Sequence, residues 1–286
     1  MKPAAFVRHL PRSVDDIVTT LAKFAPHDGR ILAGGQSLVP IMAFRMARPA
    51  HLIDINEVAI LKRMVVDPHV LSIGALVRHS RFHAPVTDAG VLGQLLAVVV
   101  KHIAHYPIRM RGTFCGSLAH ADPASEWCLV AATLDAMLVV RSVRGERLVA
   151  IDDFLVGIMT TSLADDDFLV EARLPLLPDD TRFGFEEFSR RAGDFAMASA
   201  LVTYRLVDGV MTSVRVGVGG AEDRPRRIKE AEQTLQGQAP DAALFDAVAD
   251  VAAVAIDPLE DIQTSADYRR DLVRAMVRRA LGRSLP

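Results

Sequence analysis

The spacing of hydrophobic positions changes twice along the chain, and the first part alternates strands with helices. Ser13 precedes an apolar stripe that recurs every three or four residues, which predicts a capped helix ending near Pro26. A short apolar strand at 30–33 leads into Gly34-Gly35, a helical pattern from Ser37 to Arg45, and a second strand at 51–55. A strand–loop–helix–strand unit of this length predicts a small parallel sheet.

The middle part mixes strand and helix patterns. Alternation and β-branched content predict strands at 70–76, 136–140, 147–151 and 168–174, and long apolar runs predict buried helices at 91–104 and 123–134. Arg144-Gly145-Glu146 is typical of a hairpin turn. The stretch 175–180, rich in Pro and Asp, favours a domain boundary.

The last hundred residues combine a hairpin with helices. Apolar positions alternate over 200–206 and 214–218 on either side of Asp208-Gly209, and helical spacing returns at 228–235, 241–256 and 267–281. We therefore predict an α+β chain with units at 1–55, 56–177 and 178–286. The third unit is expected to be an antiparallel sheet covered by helices.

Composition narrows the function classes. The 286 residues carry a net charge of −2 and half are apolar, which indicates a globular protein without the basic surface of a nucleic-acid binder. Cys115 and Cys128 are too few for a disulfide framework or a four-thiolate cluster. No run approaches the roughly 18 apolar residues of a membrane span, and no signal peptide is evident, so we predict a cytoplasmic protein. His102 and His105 are assigned to packing or the surface rather than to a metal.

Two segments depart from these regular patterns. Residues 33–37, Ala-Gly-Gly-Gln-Ser, join a strand to a helix, where glycines let the backbone approach a ligand and unpaired N–H groups favour an anion. Residues 109–126 hold several small and hydroxyl residues and are predicted to form a second anion-binding loop, with Asp122-Pro123 as an expected helix start. Two roles for Glu126 are equally supported: a favourable interaction with the helix dipole, and accepting hydrogen bonds from ligand hydroxyls.

Together the two segments predict one diphosphate held from two sides, although Gly-Gly alone is more often a tight turn. Neither segment contains Gly-x-Gly-x-x-Gly or a Gly-Lys-Ser/Thr phosphate loop. An ordinary dinucleotide-binding domain and a P-loop enzyme are therefore disfavoured.

At these residues the sequence resembles a known family. Residues 33–38 and 112–123 are similar to the two FAD segments of the medium, flavin-carrying subunit of molybdenum hydroxylases, which include carbon monoxide, xanthine, quinoline and nicotine dehydrogenases. Further matches lie at 48–55, 190–196 and 265–270. The resemblance implies a vanillyl-alcohol-oxidase-like FAD-binding fold of two α/β subdomains, followed by the C-terminal domain of the family.

The resemblance also implies which residues contact FAD. Residues 32–38 would wrap the pyrophosphate and adenosine, Thr113, Gly116 and Ser117 would hold the pyrophosphate, and Ser125 and Glu126 would contact the ribityl chain or ribose. Leu169 would pack near the isoalloxazine, with residues 185–187 at the outer edge of the ring. The full expected set is Leu32, Ala33, Gly34, Gly35, Gln36, Ser37, Leu38, Ala104, Gly112, Thr113, Gly116, Ser117, His120, Ser125, Glu126 and Leu169. No catalytic or metal-ligating residue is expected in this chain.

One position departs from the family. The second segment usually reads Thr-Ile-Gly-Gly, and Cys115 stands where the first of those glycines is expected. If this position requires a positive φ, cysteine is strained there. If it only lies close to the ligand, the cysteine side chain crowds the phosphate. The third alternative is that a small residue is tolerated. Cys115→Gly is expected to leave FAD retention unchanged or to improve it.

The resemblance implies an electron-transfer role. FAD on this chain would collect electrons from 2Fe-2S clusters on a small partner subunit, after a molybdopterin cofactor on a large partner subunit oxidises the substrate. The expected assembly is a heterotrimer, doubled about a two-fold axis. Two alternatives remain open, a stand-alone flavin oxidase of related fold and a flavin-free scaffold subunit.

Overall fold

The computed structural model describes residues 2–262 and 264–285, which form sheets of three, five, four and two strands. The strands are β1 Val7–His9, β2 Gly29–Leu32, β3 His51–Asp54, β4 Met64–Val66, β5 Val70–Gly74, β6 Met137–Ser142, β7 Gly145–Ala150, β8 Leu155–Gly157, β9 Thr160–Thr161, β10 Phe168–Pro175, β11 Thr181–Phe188, β12 Ala198–Val207, β13 Val210–Gly219 and β14 Arg226–Arg227. The helices are α1 Val14–Phe24, α2 Leu38–Ala43, α3 Gly90–Val99, α4 Tyr106–Arg109, α5 Phe114–His120, α6 Glu126–Thr133, α7 Ile151–Phe154, α8 Lys229–Leu235, α9 Ala242–Ala255 and α10 Ala266–Arg283. Short 3-10 turns span Ala25–His27, Ala59–Lys62, His79–Phe82 and Thr87–Ala89. Within these ranges no helix is both long and apolar enough to cross a membrane.

The first sheet is parallel, with the order β1-β3-β2. α1 begins at a capping box in which the Ser13 hydroxyl accepts from the Asp16 N–H while the Asp16 carboxylate accepts from the Ser13 N–H. Its stripe of Ile17, Val18 and Leu21 is buried. The predicted strand–loop–helix–strand unit is confirmed, although β1 was not predicted.

The second sheet has the order β4-β5-β10-β6-β7 and is antiparallel throughout. The apolar helices α3, α5 and α6 contribute to the large core beside it. The helix predicted over 91–104 ends at Val99, and the chain turns to a positive φ of 41° at Ala104. The Arg109 guanidinium donates to the Ile103 and Ala104 carbonyls at 2.8 Å, which stabilises this turn.

The third sheet, β11-β12-β13-β14, is antiparallel and shares a second core with α8, α9 and α10. The predicted hairpin at Asp208-Gly209 and the three predicted helices are confirmed. Asp135, just beyond α6, accepts from Arg227 at 2.7 Å and from Arg215 at 3.3 Å. These ion pairs join the end of α6 to the third sheet.

Two local predictions in the second segment are wrong. Residues 114–120 form α5 rather than an open loop, because Thr113 caps the helix and its apolar side chains enter the core. The next helix begins at Glu126 rather than at Pro123. Its cap is Ser125, whose hydroxyl accepts from the Cys128 N–H, while Asp122 accepts from the Ala124 N–H in a preceding turn.

Candidate functional site

The first segment, residues 33–37, carries a row of unpaired backbone donors. It leaves β2 and reverses direction at Gly35, whose φ is +73°. The first hydrogen bond of the following turn runs from the Val39 N–H to the Gly35 carbonyl. The N–H groups of residues 34–38 donate no hydrogen bond to any described residue. Consecutive free N–H groups of this kind favour an anion.

The two segments touch each other at Gly34. A Cβ on Gly34 would lie 2.4 Å from the Arg111 carbonyl oxygen and 2.8 Å from Gly112 Cα. Real Cβ atoms do not approach backbone this closely, so only glycine fits between the segments. This contact sets the distance between the two walls of the site. The first wall is the segment 33–37, and the second wall is the segment that contains Arg111 and Gly112.

Arg78 and Asn56 tie the same segments together. The Arg78 guanidinium donates both to the Arg111 carbonyl and to Asn56 Oδ1, the latter at 2.5 Å. The Asn56 amide donates in turn to the Ala33 carbonyl at 2.8 Å and to Asp54 at 2.6 Å. These residues were missed from the sequence, where the available signal was their position just after strands β3 and β5.

The second segment contributes fewer backbone donors than predicted. The Thr113 hydroxyl accepts from the Gly116 N–H at 3.0 Å, and the Thr113 carbonyl accepts from the Ser117 N–H at 3.1 Å. The N–H groups of Gly112 and Phe114 donate to the Ile108 and Val77 carbonyls. Four backbone donors of the second wall are therefore used within the protein, whereas those of the first wall are not.

Between the walls lies a cleft of about 340 Å³, within the range of small-molecule sites. It adjoins a cavity of about 250 Å³ that shares Ala33 and Gly116 with it. The close contact at Gly34, the free N–H row and the apolar side chains of the adjoining cavity suit a ligand that carries a diphosphate between flat aromatic groups. The residues present therefore fit FAD.

The structure brings together most of the residues expected to contact FAD, but not all of them. Residues 32–38, Gly112, Thr113, Gly116, Ser117 and His120 all line the cleft. Leu169 lines the adjoining cavity. Ala104, Ser125 and Glu126 lie outside the lining of both spaces. The Gln36 side chain donates to the Gly34 carbonyl at 3.1 Å, so one of its amide hydrogens stabilises the loop itself.

Cys115 is neither strained nor directed at a phosphate. It occupies the first turn of α5 with helical backbone, is 2% exposed, and its thiol donates to the Ile73 carbonyl at 3.4 Å. Burial raises the pKa of this thiol well above its ordinary value. The concern about strain is therefore wrong, because Cys115 has no positive φ. Its side chain lines the adjoining cavity and not the cleft between the walls, so we expect no crowding of the diphosphate.

The expected effect of Cys115→Gly changes accordingly. Glycine would leave a small cavity and add backbone freedom to a helix, which should lower the free energy of unfolding by about 1–3 kcal/mol. FAD affinity should stay within about twofold once the protein is folded. Urea unfolding and FAD titration of Cys115→Gly and Cys115→Ala separate the backbone effect from the loss of the thiol. A tenfold fall in FAD affinity for both variants would contradict this placement.

Glu126 heads α6 beside other acidic groups. Burial raises its pKa to about 8, with further contributions from Glu187 and Asp122. Glu187 Oε1 lies 3.2 Å from His102 Nδ1. The other carboxylate oxygen of Glu187, Oε2, is buried and has no hydrogen-bond partner among the described residues. His102 also packs edge-on against Phe185, in agreement with its predicted packing role.

Glu126→Gln is expected to stabilise the protein at alkaline pH. The folded state keeps this proton up to about pH 8, whereas the unfolded state releases it near pH 4.5, so stability falls as pH rises between these values. Glutamine removes that slope, and the gain at pH 8 should be about 4 kcal/mol. Urea melts at pH 5 and pH 8 measure it, with exposed Glu146→Gln as control. Equal slopes for Glu126→Gln and wild type would refute the shift.

Comparison with known proteins places this site in a family. Residues 4–177 match the FAD binding domain in molybdopterin dehydrogenase, and residues 183–284 match the CO dehydrogenase flavoprotein C-terminal domain. The chain is 37% identical over 283 residues to the nicotine 6-hydroxylase medium subunit of Paenarthrobacter nicotinovorans, covering 98% of each chain. It is 32% identical over 282 residues to the carbon monoxide dehydrogenase medium chain of Hydrogenophaga pseudoflava, covering 98% of this chain and 97% of the other.

A solved structure agrees closely in fold. Quinoline 2-oxidoreductase from Pseudomonas putida 86 matches with a TM-score of 0.94 and 34% identity, over 99% of this chain and 98% of that one. Fold and cleft together define an FAD-binding flavoprotein of the α+β class. The chain belongs to the family of FAD-binding medium subunits of molybdenum hydroxylases, and it is the FAD-binding subunit of a molybdopterin-dependent oxidoreductase. The family resemblance seen in the sequence is thereby confirmed.

Proposed function

We propose that this chain is an electron-transfer subunit. It receives electrons from 2Fe-2S clusters on a small partner subunit and passes them to an external acceptor. The organic substrate is oxidised at a molybdopterin cofactor on a large partner subunit. The observation that carries this proposal is the two-walled cleft on a chain whose relatives are named as medium subunits of nicotine and carbon monoxide oxidising enzymes.

The residues of the chain have a binding and positioning role in this proposal. The N–H groups of residues 34–38 hold the diphosphate, and Thr113 and Ser117 flank it from the second wall. Leu169 and the neighbouring apolar side chains exclude water from the adjoining cavity. Bound FAD supplies a carrier that takes up electrons singly or in pairs and releases them again. No side chain of this chain is required to move a proton on the organic substrate.

Exposed apolar side chains near the first wall support the proposed partners. Val39 on α2 is 50% exposed, and Phe44 and Met46 just beyond that helix are 66% and 81% exposed. Large apolar side chains exposed close together are typical of a surface that a partner covers. We propose a heterotrimer with the small iron–sulfur and large molybdopterin subunits, doubled about a two-fold axis.

A stand-alone flavin oxidase is less well supported. Such an enzyme needs its own substrate pocket, usually with a tyrosine, histidine or arginine over the ring. Tyr204 is buried in the third unit, where the Ser284 hydroxyl donates to its oxygen, and Tyr106 and Tyr268 lie on the surface. A flavin-free scaffold is also disfavoured, because Cys115 does not obstruct the cleft.

The test compares reduction of the flavin with and without partners. The FAD-loaded chain alone should keep its 450 nm absorbance when N-heterocycles and aldehydes are added anaerobically, and dithionite should bleach it. The complex purified with both partner subunits should be bleached by its own substrate. Bleaching of the isolated chain by any organic compound in the panel would refute the electron-transfer role and favour the oxidase.

A further inference from the structure

His79 lies at the floor of the cleft, and neither the sequence patterns nor the family resemblance singled it out. It opens the 3-10 turn His79–Phe82 that follows β5, is 4% exposed, and lines the cleft between the two walls. The backbone N–H of His79 donates to the Gly112 carbonyl at 3.0 Å, which fixes the His79 backbone to the second wall. A buried imidazole facing a ligand cleft requires a hydrogen-bonding role.

Trp127 determines the tautomer of this imidazole. The Trp127 indole Nε1 lies 2.9 Å from His79 Nδ1, and both side chains are buried. An indole nitrogen can only donate, so Nδ1 must accept and the ring proton must reside on Nε2. Phe82 and Phe114 pack against Trp127, which holds this arrangement in place.

The Nε2 atom is directed at the second wall and has no partner among the described residues. A Cβ on Gly112 would lie only 2.4 Å from it, so the imidazole edge lies directly against the Gly112 backbone. Burial, reinforced by Arg78, Arg109 and His83, lowers the pKa of His79 to about 3. The ring is therefore a neutral donor with one free N–H.

We propose that His79 Nε2–H donates a hydrogen bond to a diphosphate oxygen of FAD. At the second wall the N–H groups of Gly112, Phe114, Gly116 and Ser117 are already engaged, so the imidazole adds a donor on that side. The free N–H row of residues 34–38 then binds the diphosphate from the first wall and His79 binds it from the second. This inference rests on FAD binding at the proposed site and is independent of the route that electrons take.

The test compares a variant that loses only the indole donor with a variant that loses both buried polar partners. Trp127→Phe keeps the Nε2 donor but lets the ring adopt either tautomer, and it should weaken FAD binding about threefold. His79→Phe combined with Trp127→Phe removes both polar partners, so its thermal midpoint should be at least as high as that of Trp127→Phe, which leaves His79 Nδ1 unpaired. The double variant should bind both FAD and ADP about tenfold more weakly than wild type, whereas binding of riboflavin, which has no phosphate, should not change between the two variants.

A spectroscopic measurement reports on the donor directly. In protein labelled with ¹⁵N-histidine, His79 should show a pyrrole-type Nε2 and a pyridine-type Nδ1, and its Nε2 proton should shift downfield on addition of ADP. Equal FAD affinity of the double variant and Trp127→Phe, or an unprotonated Nε2 in the complex, would overturn the inference alone. Failure of the wild-type chain to bind FAD at all would overturn the flavin site itself as well.

Discussion

Gly34→Ala is expected to weaken FAD binding by about 100-fold, near 3 kcal/mol. The added methyl group would meet the Arg111 carbonyl oxygen at 2.4 Å and Gly112 Cα at 2.8 Å. Both are backbone atoms, so the overlap can be relieved only by moving the two walls apart. A diphosphate held from both sides then loses its contacts with one of them, since hydrogen bonds weaken steeply with distance and angle.

The measurement is an FAD titration by flavin fluorescence, with the 450 nm absorbance retained after desalting. Gly282→Ala is the matched control, because a Cβ at that position in α10 meets no atom within 4 Å. The control should bind FAD like wild type and should be slightly more stable, since alanine favours a helix over glycine. Wild-type affinity in Gly34→Ala, with the far-ultraviolet circular dichroism unchanged, would show that the contact at Gly34 does not shape the site.

The first wall could be predicted from sequence because its chemistry is local. A strand, two glycines and a helix start occur within ten residues, and this order alone predicts free N–H groups at a turn. The positive φ fell at Gly35 as that order requires. What the pattern could not show is that Gln36 folds back onto the Gly34 carbonyl, because a side chain that braces a loop and one that binds a ligand have the same sequence signature.

The second wall was predicted in the right place but with the wrong local structure. The cluster of small and hydroxyl residues, Gly112, Thr113, Gly116 and Ser117, favoured a backbone-lined loop. The structure has a helix there instead, because Thr113 caps α5 and Phe114 and Leu118 are buried. Helix formation in turn uses N–H groups that an open loop would have offered to the ligand.

Arg78, Asn56 and His79 were missed for a different reason. Each acts on a partner far along the chain: Arg78 on Arg111, Asn56 on Ala33, and His79 on Trp127. Spacing along one sequence carries no information on such long-range pairs. β11 was missed because half-buried positions replace a clear alternation along much of its length.

Arg78→Met is expected to weaken FAD binding by about 30-fold, near 2 kcal/mol. Methionine preserves much of the aliphatic stem but removes the donors to the Arg111 carbonyl and to Asn56 Oδ1. The Arg111 carbonyl then loses the hydrogen bond that connects it to the first wall. Asn56 donates to the Ala33 carbonyl, and it loses the Arg78 guanidinium that orients its side chain. Both walls become free to move, although no group proposed to touch FAD has been changed.

A double-mutant cycle of Arg78 and Asn56 tests whether the two side chains act together in connecting the walls. Asn56→Ala should weaken FAD binding by a similar factor, and the double variant should be little weaker than either single variant, because each single change already breaks the connection. Exposed Arg12→Met provides a control for the loss of one positive charge. Additive losses across the cycle, or a loss in Arg12→Met as large as in Arg78→Met, would mean that Arg78 acts on the anionic ligand through its charge rather than by holding the two walls together.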